Sequence, residues 1–369
     1  MSIEASPVRI LWIDTAKAYG MFLVFYGHFL EKLSDLGKVS AFLQFKFIYS
    51  FHMPLFFILA GYLSKKTNLN YKEFFRYHFT SRIIPVIFFN LLAMAISIPQ
   101  DIFLGSLHLN SYLFGLINLV KGCPVYNFVT WFLVCLFTVE NIHFFLSQYL
   151  NKSKQLIIFT VILFLIGWLI SLKIEFVTSV TGIGKNFWFV HESLVAYLFY
   201  QSGSILKSWE LFDEKRTFQF FILLFTGLIV LFTFNLNTDP FTVNKSAVIM
   251  AMSSHGNLVL FPLTALAGSL FVISLAKLTP DYQIILFIGQ NTLILLGLNG
   301  LFFNFVNQWI LSLINNLLTD SHLVVFEACS LLTLISLVLC IPCVFIFNKF
   351  IPQLVGKPKV SGPLLKNLL

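Results

Sequence analysis

The chain is short of charge. Of its 369 residues, 24 are Lys or Arg and 16 are Asp or Glu, a charged fraction of 11%, where soluble domains carry roughly 25%. So little charge cannot cover a water-facing surface, which excludes an ordinary soluble protein. Cysteine is sparse as well, with 5 residues. Cys123, Cys135, Cys329, Cys340 and Cys343 fall mostly inside apolar runs, and no pair of CxxC motifs with metal-ligand spacing is present. They read as small buried hydrophobes, and no metal site is expected. The first segment carries an acidic residue early and lacks a small-residue cleavage pattern, so it reads as a helix and not as a cleaved signal peptide. The polar alternation that a transmembrane barrel needs is missing too.

What the chain has instead is apolar surface. Hydrophobic residues make up 58%, Phe alone contributes 45, and mean hydropathy is +0.86. Lipid must be the solvent for most of it. The length would allow two or three soluble domains, but apolar segments of helical span length follow one another with short links. The expected fold is all-α: a polytopic integral membrane protein with about ten transmembrane helices. It forms a single membrane-embedded domain over 1–350, followed by a short tail over 351–369. The spans read as 11–33, 46–64, 82–100, 127–149, 155–173, 187–206, 218–235, 256–277, 283–311 and 323–348. Each must be helical to satisfy its own backbone. Pro54, Pro85 and Pro262 fall inside or near span starts, as kinks or as first-turn residues.

Ten spans put both termini on one side. The links on that side, with the two ends, hold sixteen Lys and Arg, the opposite links hold seven, and Lys17 lies within the first span. Positive charge collects on the cytoplasmic side, so both termini are expected there. The net charge of +8 is therefore a topology signal, and no nucleic-acid partner is expected.

Ionisable groups at membrane depth are costly and read as functional by default. The first span contains Asp14, Lys17 and His28. Asp14 and Lys17 are three apart and can pair on one face. Lys17 and His28 are eleven apart, which is three turns plus about 20°, so both project from one face, roughly 16 Å apart along the axis. They can line one cavity at two depths, with Lys17 toward the cytoplasm. A cation there can hold a phosphate-rich molecule. A histidine deeper in can take a proton from a hydroxyl. The plainer alternatives are a snorkelling lysine and an interfacial histidine, and Gly20 and Gly27 beside the pair favour the functional reading.

These residues resemble a family. Lys17, ten residues and then His28 is similar to the Arg/Lys-x10-His signature of the acyltransferase-3 membrane proteins. The segment from Phe51-His52-Met53-Pro54 through Phe56-Phe57 to Ala60-Gly61-Tyr62 resembles that family's second helix. Arg82-Ile83-Ile84-Pro85 resembles the Arg-x-x-Pro that opens its third, Thr130-Trp131-Phe132-Leu133 its Trp-Phe-Leu motif, and Gly289-Gln290-Asn291-Thr292 a late-helix motif. Gly27-His28-Phe29 and His52-Met53-Pro54 look closest to the fucose 4-O-acetylase-like, polysaccharide O-acetyltransferase branch.

The resemblance implies transfer of an acyl group, usually acetyl, from cytoplasmic acyl-CoA to a hydroxyl of a surface polysaccharide or its lipid-linked precursor. Acyl-CoA, a carbohydrate acceptor and the bilayer are the implied partners. Acetyl-CoA enters as donor substrate, with no bound cofactor. His28 is then the catalytic histidine, while Lys17, in place of the usual Arg, and Arg82 lie near the CoA phosphates. A bacterial-type inner membrane is the expected location. Many relatives end the late helix with a His where this chain has Asn299, and no extracellular hydrolase-type domain is attached, so a relay to one would need a separate protein. Asp14, His52, Trp131, Glu140 and His255 are further candidates to line the site. Glu140 and His143, three apart, read as a relay or, by preference, as a self-satisfied pair, and His191 and Glu192 as outer-interface residues. The rival reading is a transporter or flippase for a polar lipid or sugar, disfavoured because no inverted repeat or matched pair of broken helices is visible. Oligomeric state leaves no mark on the sequence.

Overall fold

A computed structural model describes residues 9–65, 69–150, 152–182, 184–209, 215–237 and 247–369. Lys66 and Lys245, two of the cations counted above, lie outside the described residues. Among the described residues the regular structure is helical, with one isolated bridge between Ile249 and Ser254. The helices are α1 (Leu11–Asp35), α2 (Val39–Tyr49), α3 (His52–Leu63), α4 (Tyr71–His78), α5 (Ile84–Phe103), α6 (Leu109–Val120), α7 (Trp131–Tyr149) and α8 (Ser153–Leu172). They continue with α9 (Ile174–Thr181), α10 (Val190–Ser208), α11 (Arg216–Thr233), α12 (Leu260–Leu278), α13 (Gln283–Gln290), α14 (Thr292–Phe305), α15 (Asn307–Ile314) and α16 (His322–Phe350).

Among the described residues, seven helices are long and apolar enough to cross a membrane, or eight if the bent pair α13–α14 is one span. The other two segments expected to span, α1 and α10, run for 25 and 19 residues. They fall outside the apolar set because they carry the polar residues of the interior. Three expected spans are not single straight helices. The stretch expected at 46–64 is α2 and α3, broken at Ser50–Phe51. The third expected span begins earlier, because α4 runs through a π-helical turn, Phe79–Ile83, into α5. The stretch expected at 283–311 is α13, a 77° bend at Asn291, α14 and α15. Pro54 and Pro262 fall in the first turns of α3 and α12, where a missing N–H costs little, and Pro85 follows directly on the π-helical turn that joins α4 to α5.

At the centre lies α1, packed against α2, α3, α12, α13, α14, α15 and α16. α10 packs on α3, α7 and α8. The α3–α10 crossing is close: a Cβ on Gly61 would overlap the Tyr200 carbonyl, and one on Gly203 the Ile58 carbonyl. Small residues allow such backbone approach where lipid supplies no hydrophobic drive. The outer helices α8, α11 and α16 expose large apolar side chains such as Leu169, Phe232 and Val338, as lipid-facing surfaces should.

Cross-links define two faces. At one, Tyr19 Oη meets Thr279 Oγ1 at 2.7 Å, Lys207 Nζ donates to the Ser64 carbonyl at 3.0 Å and Arg216 to the Leu278 carbonyl at 2.8 Å. The chain's last residues return to this face, where Arg76 donates to the Leu368 carbonyl at 2.9 Å. Burial, and then the nearby Arg9 guanidinium, depress the basicity of Lys357. Both described ends thus lie at the Lys17 face.

At the opposite face, that of His28, Asp320 accepts from the amides of Val39 and Ser40 at 3.0 and 2.9 Å and so caps α2. The Ser40 amide and hydroxyl, then the Val39 amide, hold the Asp320 carboxyl below its ordinary value of 3.8. A depressed carboxyl stabilises the fold above its unfolded value, and the contribution is lost as pH falls through the folded one. Two stability outcomes follow for the full chain in detergent. Asp320→Ala lowers the thermal midpoint at neutral pH, and the gap to the parent closes at acid pH. Gly203→Val, which forces α3 and α10 apart, abolishes the folded monodisperse protein, whereas Gly203→Ala costs less.

Candidate active site

A cavity of about 450 Å³ opens between α1, α3, α4–α5, α7, α10 and α14. Its mouth carries exposed Lys65, and its walls are mostly apolar, with Met53, Phe56, Leu59, Phe132, Leu133, Leu136 and Leu296. Its polar lining includes Lys17, Arg82, His78, Glu140, His143 and Tyr200.

On α1 the lining residues are Lys17, Met21 and Val24. Their spacing of four and three traces one helical stripe, and the next member is His28. The cavity therefore runs up this stripe and stops about one turn, or 6 Å, short of His28. His28 is half-buried. Its Nδ1 lies 2.5 Å from Asn299 Oδ1, and its ring centroid 4.8 Å from that of Phe303. With the Asn299 amide oxygen as acceptor, Nδ1 donates the proton and Nε2 is left as the bare nitrogen.

Around His28 stand more polar groups. His52 is buried and donates from Nδ1 to the Ile48 carbonyl at 3.0 Å. Its ring is 4.6 Å from Tyr49, and it lies within electrostatic reach of His28. Tyr49 donates to Glu31 at 3.1 Å, and Lys32 Nζ sits 4.3 Å over the Phe303 ring.

Two expected pairings are replaced. Asp14 does not pair with Lys17; its carboxylate takes Arg9 Nε at 2.5 Å and is turned away from the cavity. A charge-assisted bond to guanidinium at the entry of α1 outcompetes the i,i+3 lysine, and the carboxylate also favours the helix N-terminus. Lys17 makes no ion pair among the described residues and faces the cavity. Nor does Glu140 pair with His143. It accepts from Arg82 at 3.0 Å and from His78 at 2.6 Å, because the π-helical turn aims Arg82 at α7. His143 instead meets Tyr197 Oη at 3.2 Å.

The remaining candidates lie outside the cavity. Trp131 is buried with its ring 5.6 Å from Phe189, while its neighbours Phe132 and Leu133 line the wall. His255 is fully buried beside Phe261, ring centroids 6.0 Å apart. His191 and Glu192 are buried in the first turn of α10, and Ser253 Oγ donates to Glu192 at 2.5 Å.

Asn299 is the residue that sequence reasoning undervalued. It reaches His28 because α14 packs closely on its neighbours: a Cβ on Gly297 would strike the Phe89 ring, and one on Gly300 the Asn127 amide. Asn127 in turn donates from its side-chain Nδ2 to the Gly297 carbonyl at 2.8 Å, and its backbone N–H donates to Asn90 Oδ1 at 2.9 Å. The two glycines flanking Asn299 were the available signal.

A family model described as an acyltransferase domain matches residues 10–347. The chain belongs to the acyltransferase-3 family. No curated protein and no solved structure matches it significantly. The family, with the apolar helices, makes the chain a membrane acyltransferase, and its matched region holds the whole cavity and His28.

In this acyltransferase, Glu140 is buried and Arg82 half-buried, and removing Glu140 leaves the guanidinium without its carboxylate partner. Glu140→Ala is expected to lower the thermal midpoint in detergent. Glu140→Gln, which keeps an acceptor for Arg82, costs less.

Proposed function

We propose that this acyltransferase moves an acyl group, acetyl in the first instance, from acyl-CoA to a hydroxyl of a surface polysaccharide or lipid-linked glycan. The observation that carries the reading is the α1 stripe: Lys17, Met21 and Val24 line the cavity, and His28 follows them with its Nδ1 held by Asn299. Lys17, Lys65 and Arg82 supply cations for the CoA phosphates, and the apolar walls suit the pantetheine arm and acyl chain. Lys lacks the bidentate fork of Arg, so Lys17 acts as a point charge.

His28 Nε2 takes the proton of the acceptor hydroxyl. The hydroxyl oxygen bonds to the thioester carbon, the C–S bond breaks, and the imidazolium returns the proton to the departing CoA thiolate. The alternative order has Nε2 attack the thioester first and carry the acyl group briefly. Both need a bare Nε2, so Asn299 serves either route as a positioning residue. His52 stands beside His28 as a second imidazole on the acceptor side.

The same reading fixes the topology. α1 and α10 join the eight apolar spans to make ten, both termini lie in the cytoplasm, and the membrane is a bacterial-type plasma membrane. The cations gathered at the Lys17 face and the return of both described ends to that face support it. Gly27-His28-Phe29 and His52-Met53-Pro54 support the fucose 4-O-acetylase-like branch.

Isotope-labelled acetyl-CoA added to membranes with candidate glycans tests the reading. Label enters the glycan with the parent chain and not with His28→Ala at equal protein level; retained transfer by His28→Ala, or glycan movement without label, contradicts it. Lys17→Ala raises the KM for acyl-CoA about tenfold or more, by the loss of a charged hydrogen bond, and Lys17→Arg restores most of it. Asn299→Ala lowers kcat by about tenfold with both KM values little changed.

A further inference from the structure

We propose that a second groove, at the His28 face, is the subsite that holds a neutral glycan acceptor; this rests on the acyltransferase reading above and adds where the acceptor binds. The groove encloses about 640 Å³ between the end of α5, the start of α6, the loop after α6 and the end of α14. Small-ligand sites run to about 300–1,000 Å³, so it takes a short oligosaccharide segment. Ser97, Gln100, Asp101, Tyr112, Tyr126 and Asn304 bear the argument.

Sugars offer two surfaces, paired hydroxyls along an edge and C–H groups across a face. The groove offers the complement of each. Tyr112 and Tyr126 stack with centroids 5.6 Å apart and planes 14° from parallel, and the half-buried Tyr126 shows ring surface to the groove. Tyr112 Oη donates to Asp101 Oδ2 at 2.7 Å, which fixes the carboxylate. Among the described residues its Oδ1 meets Ser106 Oγ at 3.4 Å and keeps capacity to accept from a sugar hydroxyl. Asn304 donates to the Tyr126 carbonyl at 2.7 Å, so its amide oxygen remains for a hydroxyl. Gln100 and Ser97 add exposed or half-exposed polar groups.

Charge narrows the ligand. The groove is lined by one carboxylate and by no Lys or Arg. A phosphate, a phospholipid headgroup or an acidic sugar would meet Asp101 without a counter-charge, whereas neutral hydroxyls gain from it.

Position narrows the role. The groove and the donor cavity share no lining residue, but both reach α14. Asn299 holds His28, Phe303 lies against the His28 ring, and Asn304, the next residue, lines the groove. Adjacent helical side chains diverge by about 100°, so the groove and His28 stand on the order of 10 Å apart around the end of α14. A glycan seated in the groove can extend one sugar toward His28.

The test uses the full chain in nanodiscs and, as probes, neutral di- and trisaccharides of glucose, galactose, N-acetylglucosamine, fucose and rhamnose. Saturation-transfer NMR reads binding, and labelled acetyl-CoA reads transfer. At least one probe is expected to bind the parent chain. Asp101→Asn and Tyr126→Ala weaken that binding and raise the acceptor KM about tenfold, with the acetyl-CoA KM unchanged. Gln100→Ala, at an exposed position, weakens it several-fold without loss of folded protein. His28→Ala keeps binding and loses transfer. Absence of binding by every probe, equal binding by the groove variants, or displacement of the sugar by phosphatidylglycerol at the groove overturns the proposal. Groove-dependent binding by a parent chain that transfers no label leaves the subsite standing and overturns the catalytic reading instead.

Discussion

A polar stripe on a helix at membrane depth has to be enclosed. Lys17 and His28 stand on one side of α1, and lipid would solvate neither. The rest of the fold answers that demand: α1 is surrounded by α2, α3, α12, α13, α14, α15 and α16, and the apolar faces of α8, α11 and α16 are left to meet lipid. Enclosure also explains why α1 and α10 are the least apolar of the long helices. Interior helices need to match one another, and only the outer ones need to match the bilayer.

Enclosure without hydrophobic drive depends on close approach. Gly61 and Gly203 let α3 and α10 touch backbone to backbone, and a Cβ on Gly289 would overlap the Asp14 carbonyl, so α13 presses on the entry of α1. Gly297 and Gly300 do the same for α14, and that is what delivers Asn299 to His28. The His28–Asn299 contact and the packing are in this sense one set of contacts. The bend at Asn291 adds to it, since α13 serves the Lys17 end of α1 and α14 the His28 end. Asn348 donates to Asn291 Oδ1 at 2.8 Å, which ties the bend to α16.

The helical character of the chain, the positions of its apolar stretches and the shared face of Lys17 and His28 could be read from residue order, because hydropathy and the 3.6-residue period are local properties. What could not be read is what meets what across the chain. Glu140 looked toward His143 on its own helix, yet its partners Arg82 and His78 lie 58 and 62 residues away. Asp14 looked toward Lys17 and found Arg9. Asn299 sits 271 residues from His28, and nothing local in either segment announces the other. The breaks at Ser50–Phe51 and Asn291 escaped for a related reason: an apolar run stays apolar through a bend, and only neighbours decide where it turns. The second groove was invisible for the same cause, since its Tyr112–Tyr126 pair and Asn304 come from three separate segments.

The central claim is that donor and acceptor meet α1 from opposite faces. The most direct measurement is transfer in proteoliposomes of known orientation, with labelled acetyl-CoA and a neutral glycan placed on chosen sides. Label should enter the glycan only when acetyl-CoA is on the Lys17 face and the glycan on the His28 face. Equal transfer with both substrates confined to the Lys17 face would contradict the account.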